Sequence, residues 1–145
     1  MRVNYALCVL LACSALAACA GSDKSRLLTL ELMPGPQNLG HIAQASLTEQ
    51  GANTGISIFV GGVPASVGRP LQIYSYIYPG SCSNLAAQPA FSLNENVRAE
   101  RTSNGWYLSK RLAVSLASLS AEPYALLLRS SPVDNSLTLF CGDIE

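Results

Sequence analysis

The stretch LLTLELMPGPQNLGHIAQASLTEQGANTGISIFVGG, residues 27–62, decides the fold class of this chain. Near its start, Leu28, Leu30 and Leu32 alternate with polar side chains, and the Pro-Gly-Pro run of residues 34–36 ends the alternation. A period of two is typical of a strand with one buried face, because successive side chains of a strand point to opposite faces. The opening run therefore predicts a strand followed by a turn.

The same pattern continues along the chain in short runs separated by turn formers. It predicts further strands at residues 42–48, 56–60, 70–78, 106–114, 124–129 and 137–141. Residues 116–121 are expected to form a single helical turn before Pro123. About seven or eight short strands, with no sustained helical period, predict an all-β fold: an antiparallel Greek-key sandwich.

Composition limits the classes of function. The chain has 145 residues, of which 49% are hydrophobic and 12% charged, and this fits a single domain. Nine basic and nine acidic residues give a formal net charge of zero, and no block of like charge is present. A nucleic-acid-binding protein usually carries a basic patch, so we predict no nucleic-acid partner.

The amino-terminal residues have the layout of a secretion signal. Arg2 supplies a positive start, and residues 5–18 are apolar or small and carry no charge. This run is shorter than the roughly 20 apolar residues that a membrane-spanning helix needs. It ends in a motif that resembles the bacterial lipobox: Leu16-Ala17-Ala18-Cys19.

The lipobox resemblance implies cleavage before Cys19, a thioether-linked diacylglycerol on its sulfur and, usually, acylation of the new amino terminus. Two or three acyl chains hold a protein firmly, because each buried methylene contributes about 0.8 kcal/mol. Ala20 stands where an aspartate would be the usual inner-membrane retention signal, so the resemblance implies the outer membrane, facing the periplasm. An ordinary signal with a small-x-small cleavage site near residues 15–20 is the alternative.

The five cysteines have different predicted fates. Cys8 and Cys13 leave with the signal and Cys19 takes the lipid. Cys82 and Cys141 remain, and two remaining cysteines in an exported domain predict one disulfide. Two free buried thiols are the alternative. A metal site on these cysteines is disfavoured, because no second pair of ligands lies near them in the sequence.

Two cysteine-containing segments resemble those of a known fold family. Residues 76–82 are Tyr-Ile-Tyr-Pro-Gly-Ser-Cys, and residues 139–144 are Leu-Phe-Cys-Gly-Asp-Ile. Together they resemble the Cu/Zn superoxide dismutase-like sandwiches and the small exported, chordin-like relatives of that family. The resemblance implies a superoxide dismutase-like sandwich, with an immunoglobulin-like one as the alternative. It also implies a disulfide between the two segments.

The metal ligands of that family are not matched in this chain. The resemblance leads us to expect a His-x-His strand before the glycine turn, but Tyr76 and Tyr78 stand at those positions. Tyrosine is protonated at neutral pH and is a poor ligand for copper or zinc. The chain has one histidine, His41, whereas copper-zinc dismutation needs several imidazoles. We therefore predict no metal and no cofactor.

The remaining candidate residues favour recognition over catalysis. Three tyrosines at strand spacing form a candidate recognition surface, which we call the tyrosine face: Tyr74, Tyr76 and Tyr78. Tyrosine is also common in sheets for packing reasons alone. We expect His41 to be a solvated loop side chain, and Arg98, Glu100 and Arg101 to form a solvated loop face. Without another base for a serine nucleophile, no catalytic residue is predicted.

The expected function is that of a non-catalytic, membrane-anchored envelope lipoprotein whose sandwich is a binding or structural module. Its expected partners are the membrane, through the lipid, and an envelope protein. One alternative is a divergent metal-dependent oxidoreductase of superoxide dismutase descent. Another is an inhibitor or accessory subunit that docks through the tyrosine face. The predicted organisation is a signal peptide, a lipidated tether and a β-sandwich domain: residues 1–18, 19–26 and 27–145.

Overall fold

The computed structural model describes residues 25–145. The predictions for the signal peptide, the cleavage site and the lipid on Cys19 lie outside the described residues. Within residues 25–145, no helix has the length and apolar character needed to cross a membrane.

In the described part of the chain, ten strands and one short helix follow one another. The strands are β1 Leu27–Pro34, β2 Ala43–Gln50, β3 Asn53–Val60, β4 Tyr74–Ser81, β5 Asn84–Leu85, β6 Phe91–Ser92, β7 Glu100–Thr102, β8 Gly105–Leu112, β9 Tyr124–Arg129 and β10 Thr138–Ile144. The helix α1 spans Leu116–Leu119, and a 3-10 turn spans Pro132–Asp134. The all-β prediction is confirmed, and so is the helical turn before Pro123.

The strands pair antiparallel in the order β5-β4-β9-β10-β1-β2-β3-β8-β7, and β6 pairs with β4. Strand β1 joins the two halves of this sheet. Its first six residues pair with β2, whereas Met33 and Pro34 pair with Cys141 and Phe140 of β10. Because β1 changes partner along its length, the sheet can turn back on itself there. Buried residues of both halves pack in one hydrophobic core, giving a sandwich-like arrangement.

Burial along the strands shows which faces the core covers. Strands β3 and β8 bury alternate residues, so each has one face in the core. Strand β9 is buried from Ala125 to Leu128, because both of its faces are covered. Leu126 and Leu128 belong to the main core, and the other face carries a smaller group that we call the outer cluster: Ala125, Leu127 and Cys141, with Tyr78, Cys82 and Leu85 packed against them.

The long strands lie where the sequence predicts them, with shifted ends. The strand predicted at residues 124–129 has the predicted bounds. The strand predicted at residues 70–78 begins only at Tyr74, because Gln72 forms no more than an isolated bridge with Arg98. The last strand continues to Ile144, three residues beyond its predicted end.

Residues 25–145 form ten strands rather than seven or eight. The three additional strands are β5, β6 and β7, which have two or three residues each. A run of two or three residues is too short to show a period of two, so its pairing depends on the neighbouring strand. All three lie between β4 and β8, in the segment that the sequence predicts as one long loop.

Candidate functional site

A surface cavity in the described part of the chain has a volume of about 730 Å³. It lies between the connection that leads from β3 to β4 and the segment that leads into β8. The lining residues are Arg69, Pro70, Leu71, Asn96, Arg98, Ala99, Glu100, Arg101 and Trp106. We call it the arginine cleft, because three of these residues are arginines.

Main-chain hydrogen bonds hold the two walls of the cleft together. The Ile73 N–H donates to the Val97 carbonyl at 2.8 Å, and the Ala99 N–H donates to the Leu71 carbonyl at 3.0 Å. Both bonds join segments that are about 25 residues apart in the chain. The position of each arginine relative to the others is therefore set by backbone pairing.

Trp106 lines the arginine cleft and contacts two of its arginines. It stands on β8, opposite Val60 of β3 and Arg101 of β7, and only 9% of its surface is exposed. The Arg101 Cζ atom lies 4.5 Å from the ring centroid, and the Arg69 Cζ atom lies 5.0 Å from it. Both distances are within the range of a cation–π contact, worth about 0.5–1 kcal/mol at an exposed site. One indole ring therefore orients two guanidinium groups.

Arg69 has a second support beside the ring. Its guanidinium donates hydrogen bonds to the main-chain carbonyls of Val67 at 2.9 Å and Gly68 at 3.3 Å, rather than to a carboxylate. The loop is held in turn because the Gly68 N–H donates to Asp134 Oδ1 at 3.2 Å. A guanidinium has five N–H donors, so these contacts leave donors available for a bound molecule.

A buried cation lies behind the wall of the cleft. Lys110, also on β8, is 8% exposed and donates to the main-chain carbonyl of Asn96, a lining residue. Burial lowers the pKa of the Lys110 ammonium below its usual value of 10.5, because the charged form loses solvation. Glu100 is the one carboxylate in the lining. The cleft is therefore a positively charged environment built around an aromatic ring.

The sequence analysis placed three residues of this cleft at the surface but did not predict a site there. Arg98, Glu100 and Arg101 are exposed, as expected of solvated side chains, but Glu100 and Arg101 belong to β7 instead of a loop. Their convergence with Arg69 and Trp106 was not predicted. The available signal was the turn-forming run Ser103-Asn104-Gly105, and the hairpin that turns there places Arg101 opposite Trp106.

The predicted disulfide is confirmed. Cys82 and Cys141 are joined, with Cα atoms 5.9 Å apart, and the bond connects the turn after β4 to β10. The two free thiols considered as the alternative are therefore excluded. Gly80, near the end of β4, leads into this turn: its φ is +98°, and a Cβ atom there would collide with the Asn84 carbonyl. The Cys82 N–H donates to Asp143 Oδ1 at 2.6 Å.

The tyrosine face lies on the other half of the sheet. Its three members share one side of β4 and are all partly buried. The rings of Tyr76 and Tyr78 meet edge to face with centroids 6.3 Å apart, and Tyr78 packs against the outer cluster. Tyr74 is opposite Arg129, whose Nε is buried without a hydrogen-bond partner. None of these residues lines the arginine cleft.

His41 is exposed in the loop before β2, as expected. Among residues 25–145, no group of three or more His, Cys, Asp or Glu side chains is placed to hold a metal ion.

Comparisons of this chain with protein-family models, with curated proteins and with solved structures give no match.

Proposed function

We propose that this protein is a non-catalytic envelope lipoprotein that binds an anionic molecule in its arginine cleft. The observation that carries this proposal is the pair of guanidinium groups held on the ring of Trp106 in an open cavity of about 730 Å³. A cavity of this volume is within the range of small-molecule sites. Ordered guanidinium groups bind anions at a lower entropic cost than mobile ones.

The chemistry of the lining favours binding over catalysis. Its polar side chains are three arginines, one asparagine and Glu100. Arginine stays protonated in proteins, so it cannot act as a general base at ordinary pH. A nucleophile needs an adjacent base, and a general acid needs a matched partner. The lining contains one carboxylate, so it has neither a nucleophile with a base beside it nor two groups that could act as acid and base. Its other charged groups can bind an anion.

The lipobox supports a location at the membrane. The tether of residues 19–26 spans at most about 28 Å when fully extended. A lipid on Cys19 would therefore keep the domain, which begins at Leu27, close to the membrane surface. In this proposal the domain faces the periplasm from the outer membrane and samples molecules near that surface.

The order of the strands supports the proposed Greek-key sandwich. In a Greek key, three hairpin-connected strands are followed by a strand that returns by a long connection to lie beside the first. Here β1, β2 and β3 pair in sequence, and the last strand, β10, returns beside β1. The disulfide between the glycine turn after β4 and the last strand is the pairing that the superoxide dismutase-like resemblance implies. We propose descent from that family with the ligand positions occupied by Tyr76 and Tyr78.

The fluorescence of Trp106 offers a direct test, because it is the single tryptophan of the chain and lies in the cleft. The full-length lipidated protein, extracted in detergent, would be titrated with anionic and neutral sugars and small acids. We expect a saturable change with anions and none with neutral compounds of similar size. Arg101→Gln should weaken this binding.

The matched control is Arg111→Gln, since Arg111 is exposed on the same strand but points away from the core face that carries Trp106. Equal binding by the two variants, or a Trp106 signal that no anion changes, would refute a ligand in the cleft.

The tyrosine face supports a second candidate function, docking of an envelope protein, because Tyr76 and Tyr78 present two rings in edge-to-face contact on one side of β4. Tyr76→Ser should remove a crosslinked partner from envelope membranes. Tyr107→Ser, which alters an exposed tyrosine on β8, is the control. The same crosslinked products in both variants would exclude docking through this face.

A further inference from the structure

We infer that the arginine cleft selects a phosphate monoester group. This inference rests on the proposed function, and it specifies which anion that function concerns. Arg69, Arg98 and Arg101 line the cleft with Glu100 as the only opposing carboxylate, so the lining has a formal charge of +2. A phosphate monoester carries about −1.5 to −2 at pH 7, whereas a single carboxylate or a sulfate ester carries about −1. The monoester matches the charge of the cleft most closely.

The geometry of the charged groups agrees with this match. A guanidinium presents a planar fork that engages two oxygens of one phosphate at once. Arg101 and Arg69 both lie within 5.0 Å of the centre of one indole ring, so two forks are available in one region of the cleft. A monoester has three terminal oxygens and can accept from both. A carboxylate offers two oxygens and a smaller charge, and a sulfate ester offers three oxygens with the smaller charge.

The cavity is larger than a phosphate group alone. Beside the charged residues it is lined by Pro70, Leu71 and Ala99, which offer carbon surface and few hydrogen-bond groups. We therefore expect the ligand to carry a carbon body next to its phosphate, such as a sugar or a glycerol unit. This chemistry occurs both in soluble phosphorylated metabolites and in the headgroups of lipids with a terminal phosphate, and the experiment has to separate the two.

The charge of the ligand predicts a distinctive pH dependence. The second ionisation of a phosphate monoester has a pKa of about 6, so about one tenth of it is dianionic at pH 5. The three arginines keep their charge throughout this range. Glu100 in the lining and Lys110 behind it are the other titratable groups that face the cleft. Methyl sulfate keeps a single negative charge across this range, so its affinity reports changes of the cleft itself.

The experiment is a titration of Trp106 fluorescence in the full-length lipidated protein with glycerol 1-phosphate, methyl sulfate and acetate. We expect glycerol 1-phosphate to bind at least about tenfold more tightly than the other two at pH 7.5. Its affinity should fall by up to about tenfold at pH 5, while that of methyl sulfate does not fall. Arg101→Gln should weaken glycerol 1-phosphate binding by tenfold or more, and Arg111→Gln should leave it unchanged.

The possible failures are distinguishable. If methyl sulfate or acetate binds as tightly as glycerol 1-phosphate, with the same dependence on Arg101, the monoester preference is wrong and the anion-binding function stands. If no anion changes the Trp106 signal, both are wrong. The circular dichroism spectrum of Arg101→Gln should match that of the unaltered protein, which shows that a loss of binding is not caused by unfolding.

The source of the phosphate is tested in membranes. The lipidated protein would be reconstituted into phosphatidylcholine vesicles with and without phosphatidic acid, whose headgroup is a phosphate monoester. If phosphatidic acid changes the Trp106 signal and raises the concentration of glycerol 1-phosphate needed to saturate its own signal, the cleft accepts a lipid headgroup. If only soluble glycerol 1-phosphate changes the signal, the ligand is a soluble one. Both results support selection of a phosphate monoester. If neither compound changes the Trp106 signal, the proposal is wrong.

Discussion

Reduction of the disulfide between Cys82 and Cys141 should remove a large part of the stability of this domain. The two cysteines are separated by 59 residues, and closing a loop of that length in the unfolded chain contributes roughly 4 kcal/mol in the chain-entropy description. Domains of this size are typically stable by about 5–15 kcal/mol. The reduced protein should therefore remain folded, with a much smaller margin.

The assay is urea unfolding followed by Trp106 fluorescence, with and without a reductant. Since m-values of small proteins are about 1–3 kcal/mol per M in urea, the midpoint should fall by at least about 1 M on reduction. The double variant Cys82→Ala with Cys141→Ala should resemble the reduced protein, slightly further destabilised because the outer cluster loses two sulfur atoms.

The double variant also provides the control, because a reductant has no bond to break in it. If the reductant lowers the midpoint of the double variant as well, its effect does not come from this disulfide. If reduction of the unaltered protein changes the free energy of unfolding by less than about 1 kcal/mol, the chain-entropy reasoning is refuted for this loop.

Three further predictions concern single residues. Cys19→Ala should move the protein from the membrane fraction to the soluble periplasm or block its processing, and an unchanged membrane fraction would contradict the lipid anchor. Gly80→Ala should lower the free energy of unfolding by more than about 2 kcal/mol, because the new Cβ collides with the Asn84 carbonyl and the residue has a positive φ. Gly40 also has a positive φ but has open space around it, so Gly40→Ala should lower the free energy of unfolding by only about 1–2 kcal/mol in the same urea assay. The lowered pKa of Lys110 means that the unfolded state holds this proton more tightly, so stability should rise as the pH approaches 10.5 from below. Lys110→Met should flatten that rise in a pH series of unfolding curves.

The long strands could be predicted because each has a single physical cause that is visible in the sequence. In β3, Ile56, Ile58 and Val60 alternate with partly exposed residues, and all three are buried. The period of two follows from the covering of one face, so it appears in the sequence of any such strand. Strand β9 lacks this period because both faces are covered, and its bounds were found from its apolar run between turn formers.

The arginine cleft could not be predicted in the same way. Arg69 and Arg98 are distant in the chain and meet because Leu71 and Ala99 pair through their backbones. Nearly every residue carries the same backbone donor and acceptor, so the sequence does not show which residues will pair in this way. Arg101 and Trp106 are a different case, since the hairpin turn between them is recognisable. The approach of Arg101 to Trp106 could therefore be predicted from the sequence, whereas the approach of Arg69 to Arg98 required the fold.

The disulfide that stabilises the domain and the cleft that we propose to bind an anion lie in different parts of the fold. The disulfide and the outer cluster connect β4, β9 and β10, whereas the arginine cleft is built from the β3–β4 connection and the β7–β8 hairpin. No lining residue of the cleft belongs to the outer cluster. Substitutions at Arg69, Arg98 or Arg101 remove exposed charge and leave the core intact, so they are expected to cost little stability. A binding site of this kind can change its ligand preference through surface residues while the disulfide-linked half keeps the domain folded.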